Sequence, residues 1–246
     1  MSRDRDAFLS SHAVPQISIV IPIHDQEAIL QEAVRRLKRE LQAQGWSYEL
    51  ILAENGSRDR TAAIARELCR EGNNLRVLSI ARSNHGEALK VAILATRGQF
   101  VICEELTFCD AEFHRRAIEL LTQRTVDLVT GSRRIPGAPA GAGFFSRVAS
   151  RCYLWLLGAL VGFRGTDTRG LKVFRRATLM PVVRRCVGDK EVFATELVVR
   201  AQRAGLELRE IPMTVAQRGP TSDPWLKRAT EAIVGLAQLT WYIRFP

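Results

Sequence analysis

Along the first half of the chain, short runs of apolar residues alternate with longer amphipathic stretches. Ile17–Ile21 and Tyr48–Ala53 are continuous and rich in Ile and Leu, the pattern of buried parallel strands. Between them Glu27–Gln44 carries a helical period closed by Gly45. The same reading predicts helix Thr61–Glu71, strand Leu75–Ile80, helix Gly86–Arg97 ended by Gly98 and strand Phe100–Cys103. Helix Glu112–Gln123 and strand Asp127–Thr130 follow. Such alternation builds βαβ units and a mostly parallel α/β sheet flanked by helices. The pattern then changes. Ile135–Gly143 (IPGAPAGAG) reads as a loop, Phe144–Phe163 as a long apolar helix, and Leu171–Phe174 as a strand. Helix Val192–Ala204, strand Leu206–Val215 and a final helix Pro224–Phe245 complete the prediction. With no internal repeat and no clear linker, we expect a flexible N-terminus over 1–16, one domain over 17–222 and an amphipathic helix over 223–246.

Polar groups cluster where the first two strands end. Ile17–Ile21 stops at Pro22 and gives way to His24-Asp25-Gln26-Glu27; Tyr48–Ala53 stops at Glu54-Asn55-Gly56-Ser57. Open parallel sheets bind ligands beyond the carboxyl ends of their strands. A carboxylate and an amide there suit the base and ribose of a nucleotide, while Ser57 can cap the next helix and Asp59 favours its first turn. Spacing alone divides evenly between this and a plain capped loop; Pro22, Asp25 and Glu27 alongside favour the nucleotide. Asn84-His85-Gly86 opens another helix, either as a cap by Asn84 or as a ligand contact near Gly86.

Composition narrows the function less than these motifs do. The 246 residues suffice for one large α/β domain or two small ones, with ordinary hydrophobic (46%) and charged (25%) content. A net charge of +10 draws polyanions: nucleic acid, anionic lipid or phosphorylated substrates. The five cysteines are scattered with no CxxC pair, which argues against structural zinc and for free thiols in a reducing cytoplasm. No apolar core of a signal peptide is expected in MSRDRDAFLSSHAVP. The longest apolar run, Tyr153–Phe163, falls short of the roughly 18 to 20 residues of a membrane span.

Ile19-Val20-Ile21-Pro22 with Asp25-Gln26-Glu27, and Glu54-Asn55-Gly56-Ser57-Arg58-Asp59-Arg60-Thr61, resemble the two N-terminal signatures of family 2 glycosyltransferases. Further matches run in order nearly to the end of the chain: Gly131-Ser132-Arg133, Ser146-Arg147, and Thr166-Asp167-Thr168-Arg169-Gly170 followed by Leu171–Arg176. The last resembles the dolichyl- and polyprenyl-phosphate mannose or glucose synthases in particular. The resemblance implies a GT-A fold and inverting transfer of a sugar from a UDP- or GDP-linked donor to a polyprenyl phosphate. It implies donor contacts from Pro22, Asp25, Glu27, Glu54, Asn55, Ser57, Gly86 and Glu104. It places Arg133 on a donor or acceptor phosphate, Asp167 facing the sugar or an acceptor-side arginine, and Glu196 near both substrates; the alternative for Glu196 is a buried pair with an arginine. Lys172 and Arg175 could be structural. Ser146, Arg147 and Arg218 would hold the acceptor phosphate, Arg218 from a loop of shortened spacing.

One signature departs from the family. An Asp-x-Asp that holds Mg²⁺ or Mn²⁺ stands in this chain as Glu105-Leu106-Thr107. Glu105 keeps one carboxylate, and Asp110 or Glu112 just downstream could serve as a second. The departure leaves a second function open: a degenerate GT-A protein that binds a nucleotide sugar or a partner without catalysis. Nucleic-acid binding rests on charge alone and is set aside, because no nucleic-acid module is recognisable. Phe144–Phe163 and Pro224–Phe245, apolar, basic and aromatic, fit a peripheral place on the cytoplasmic face of a membrane; the alternatives are ordinary core helices, a seam with a second copy, or a membrane partner protein.

Overall fold

A computed structural model describes residues 14–80, 84–106, 110–132, 135, 144–168, 170–190, 192–213 and 225–244, with side chains omitted at 144–148 and 225–229. Its strands are β1 (Ile17–Ile23), β2 (Tyr48–Glu54), β3 (Leu75–Ser79), β4 (Phe100–Cys103), β5 (Leu128–Ser132), β6 (Lys172–Arg175) and β7 (Leu208–Pro212). The helices are α1 (Leu30–Ala43), α2 (Thr61–Arg70), α3 (His85–Leu94), α4 (Ala111–Thr122), α5 (Phe144–Val161), α6 (Arg176–Arg185), α7 (Val192–Arg203) and α8 (Trp225–Arg244). They build one seven-stranded sheet of order β3-β2-β1-β4-β6-β5-β7. Every pairing is parallel except those of β6, which lies antiparallel to both β4 and β5.

The continuous apolar runs reflect burial on both sides. One face of the sheet packs Ile17, Ile19 and Ile21 against Leu37 of α1, Leu68 of α2 and Phe113 of α4. The other packs Val20, Ile51 and Val101 against Leu89 of α3, Val183 of α6 and Phe193 of α7, with Leu239 of α8. Covering both faces is what a parallel sheet requires. Among the described residues no helix is long and apolar enough to cross a membrane.

Several boundaries differ from expectation for identifiable reasons. β1 does not stop at Pro22 but runs to Ile23. In a parallel ladder alternate residues bond alternate neighbours: Val20 C=O accepts from Glu104 N–H of the β4 side, whereas Ile23 C=O accepts from Asn55 N–H of the β2 side. Pro22 therefore faces β4, whose pairing with β1 ends at Val20 and Cys103, so its missing N–H breaks no ladder bond. α1 begins at Leu30 rather than Glu27, because Glu27 is engaged with the neighbouring loop. The sequence reading missed α6. It follows β6 without a connecting loop and contains Pro181, an interior residue that normally argues against a helix.

Candidate functional site

The loops after β1 and β2 are joined by reciprocal hydrogen bonds. Asp25 N–H donates to Ser57 Oγ (3.2 Å), and Arg58 N–H returns a bond to Asp25 Oδ1 (2.7 Å). Glu27 N–H donates to Asp59 Oδ2 (3.0 Å), and Arg60 N–H returns one to Glu27 Oε2 (2.8 Å). Gln26 N–H donates to Thr61 Oγ1 at 2.7 Å. Asp25 adopts a left-handed backbone (φ 47°), a conformation a short polar side chain tolerates better than an apolar one. Asp25, Glu27 and Ser57 thus stand together, but with at least part of their polar capacity holding two loops in one shape.

Glu54 and Asn55 lie inside this frame and are buried. Glu54 Oε1 accepts from Ser57 N–H (2.6 Å), closing the turn around Gly56. Asn55 bonds outward in three directions: its N–H to Ile23 C=O, its C=O to His24 Nδ1 (2.9 Å), and its Oδ1 to Asn84 N–H (2.6 Å). Asn84 caps α3, its Oδ1 accepting from Glu87 N–H (3.1 Å) and also from Lys190 N–H (2.9 Å) in the α6–α7 turn. Gly86 is where these segments meet. A Cβ there would lie 2.6 Å from Lys190 O, so only glycine fits without displacing backbone.

At the end of β4, neighbouring carboxylates have different surroundings. Phe100 and Ile102 enter one core cluster while Val101 and Cys103 enter the other. Glu104 continues the first series and meets His114 of α4, Oε2 to Nε2 at 2.5 Å, with both side chains almost wholly buried. Its Oε1 accepts from Glu105 N–H (3.3 Å). Burial pushes the Glu104 carboxyl above its ordinary range against the pull of His114. Burial works to lower His114, but the Glu104 charge prevails and raises it. Glu104, expected among the donor contacts, is braced into the core because its carboxylate has a buried partner there. Glu105 is half-buried at the strand end. Asp110 caps α4, Oδ1 accepting from Phe113 N–H at 3.0 Å. Burial pushes the Cys103 thiol up to about 12, with Lys172 opposing and Glu104 assisting.

A third group gathers where β5 and β7 end. Thr166 Oγ1 donates to Glu210 Oε2 (2.6 Å), so Ser132 Oγ must be the donor in its 2.7 Å contact with Thr166 Oγ1. Glu210 Oε1 also accepts from the N–H groups of Thr166 (2.7 Å) and buried Asp167 (3.3 Å). Gly170 lets the chain cross here, since a Cβ would fall 1.6 Å from Gly131 O. Glu210 and His114 were not singled out from sequence; neither has a local signal, because their partners are distant or chosen by packing.

Glu196 is fully buried and accepts from Val187 N–H, from Gly188 N–H (2.6 Å) and from Arg200 Nε (2.6 Å). Arg200 in turn donates to Tyr242 C=O of α8 (2.7 Å). This is the arginine-paired reading of Glu196, and it ties α7 to the α6–α7 turn and to α8. Arg133 and Arg218 lie outside the described residues, as do the side chains of Ser146 and Arg147.

Residues 18–142 match the family model described as glycosyl transferase family 2, half of the chain and the span within which β1 to β5 end. The chain belongs to this family. It is 30% identical over 215 residues to the glycosyltransferase AglD of Haloferax volcanii, covering 84% of this chain and 34% of that protein. It thus spans about a third of that relative. It is 26% identical over 239 residues to a dodecaprenyl-phosphate galacturonate synthase of Rhizobium johnstonii, covering 94% of this chain and 68% of the other. Among solved structures it resembles glucosyl-3-phosphoglycerate synthase of Mycobacterium tuberculosis bound to phosphoglyceric acid, with TM-score 0.69, 22% identity and coverage of 96% and 83%. The same enzyme with Mn²⁺, UDP and glucosyl-3-phosphoglycerate aligns at TM-score 0.67 and 22% identity, again covering 96% and 83%. The family 2 chain therefore has the GT-A fold.

Proposed function

We propose that this chain transfers a sugar, with inversion, from a nucleotide-sugar donor to a polyprenyl phosphate. The observation that carries the reading is the edge where Glu54 and Asn55 end β2 and Glu105 follows β4, the two strands that flank β1 in a family 2 sheet. The relatives named for dodecaprenyl- and undecaprenyl-phosphate products support the acceptor. Glu54 and Asn55 would bind the nucleoside, with Pro22, Asp25, Glu27, Ser57 and Gly86 shaping the pocket. A phosphate monoester carries about −1.5 to −2 charge near neutral pH and is itself a nucleophile. The protein then has to align it and offset charge. Arg133, Ser146, Arg147 and Arg218 would hold that phosphate, with Asp167 beside the sugar.

The chemistry of the described residues fits a hard divalent cation only in part. Glu105 offers one carboxylate, and no cluster of three His, Cys, Asp or Glu stands among the described residues as a complete site. Glu105 would hold Mg²⁺ or Mn²⁺ together with diphosphate oxygens of the donor, Asp110 lying close by in sequence. When bound, the cation supplies charge stabilisation for the departing nucleoside diphosphate.

The reaction would take place on the inner face of a membrane. Trp155 of α5 is 71% exposed, and Ile233 and Trp241 of α8 are 66% and 62% exposed, which suits an interface that also attracts net positive charge. The test is incubation with radiolabelled UDP- and GDP-sugars, Mn²⁺ and vesicles containing undecaprenyl phosphate. A sugar label that partitions into organic solvent is expected. Nucleotide binding without a lipid product would sink the acceptor assignment; no nucleotide binding would favour the non-catalytic reading.

A further inference from the structure

From the Glu104–His114 contact we infer that His114 is a positioning residue for the donor site. Acting through Glu104, it fixes the backbone that presents Glu105. The inference rests on the transferase reading and assigns a function to a pair that the strand-end motifs do not explain.

An acid and an imidazole are held at 2.5 Å, each almost inaccessible, at the point where the sheet edge would bind the donor. A buried ion pair is a weak source of stability, because desolvation offsets the attraction, and apolar replacements often match it. What it does supply is a fixed geometry. Glu104 is held on three sides: its N–H donates to Val20 C=O of β1, its Oε2 meets His114, and its Oε1 accepts from the Glu105 N–H. The first bond ties the Glu104 backbone to β1, the strand between β4 and the β2 that ends in the Glu54–Asn55 turn, and the last turns the Glu105 N–H onto the Glu104 carboxylate. His114 is itself carried on the first turns of α4, whose cap is Asp110. One buried contact therefore sets both ends of the segment that joins β4 to α4. Where only Glu105 remains of a two-carboxylate motif, its placement has fewer neighbours to correct an error. A misplacement of an ångström in such a site can cost about a hundredfold.

The experiment compares wild type with Glu104→Leu/His114→Leu, which removes both charges and refills the space with apolar atoms. His114→Gln serves as the second variant and keeps a polar group facing Glu104. Titrations with UDP and GDP, each with Mn²⁺, are read beside thermal midpoint and hydrogen exchange of the peptide spanning 104–110. The double variant is expected to melt within a few degrees of wild type, exchange faster at 104–110, and bind nucleotide with Mn²⁺ at least tenfold more weakly. His114→Gln should fall between the two. Wild-type nucleotide affinity in a folded double variant would overturn the inference alone. If the double variant fails to fold, unchanged nucleotide affinity and 104–110 exchange in His114→Gln would overturn it instead. Absence of nucleotide binding by wild type itself would overturn the transferase reading and this inference with it.

Discussion

Asn55 Oδ1 accepts a 2.6 Å hydrogen bond from the backbone N–H of Asn84, tying the end of β2 to the start of α3. The two segments are distant in sequence, and this side chain is buried between them. Asn55→Ala removes the acceptor and leaves that N–H unsatisfied, a loss of about 1–3 kcal/mol. Asn55→Asp keeps an oxygen there and should retain most of the stability. Urea unfolding of the two variants checks the contrast; equal losses would show that the acceptor is not what matters.

Gly86 meets the α6–α7 turn so closely that a Cβ would sit 2.6 Å from Lys190 O and 2.7 Å from Asp189 C. Backbone cannot swing aside as a flexible side chain can. Gly86→Ala is therefore expected to destabilise by about 1–3 kcal/mol, the usual cost of overpacking. It should also weaken nucleotide binding, because Asn84 holds Asn55 and Lys190 from the same turn. A thermal midpoint equal to wild type would contradict the close approach.

The turn after β2 was legible in sequence because the bonds that close it are local, whereas its bonds to the loop after β1 join residues more than thirty positions apart and were not. Glu54 closes its own turn on Ser57, and Asp59 bonds Thr61 two residues on. The antiparallel placement of β6 was not legible, since periodicity states that Leu171–Phe174 is a strand but not beside which partners it lies. The fate of Glu104 was hidden for a related reason. One position earlier or later on the edge of β4 decides between core and cleft, and only the placement of α4 reveals that His114 waits on the core side. Glu196 matched a motif by position, yet its neighbours are set by the fold of the α6–α7 turn.

Glu196 is expected to matter first for stability. Two backbone N–H groups and Arg200 converge on its carboxylate, and Arg200 is only slightly exposed. Glu196→Ala leaves that cation without its buried partner, a loss of about 3–5 kcal/mol. Chemical denaturation measures it. A variant of wild-type stability that has lost only turnover would return Glu196 to a role beside the substrates.

Arg133 should behave in the opposite way. It follows Ser132, whose hydroxyl is anchored through Thr166 to Glu210, so the strand end beneath it is firmly held without its help. A guanidinium suits the acceptor phosphate because its planar donors bind two oxygens and its charge persists at every working pH. Arg133→Ala is expected to leave the unfolding free energy within about 0.5 kcal/mol of wild type. Transfer to lipid should fall by at least tenfold, while nucleotide affinity remains. Arg133→Lys should recover only part of the rate, because an ammonium cannot form the paired contact. Single-turnover transfer, measured beside nucleotide titration, separates these effects; an unchanged transfer rate in the alanine variant would remove Arg133 from the phosphate.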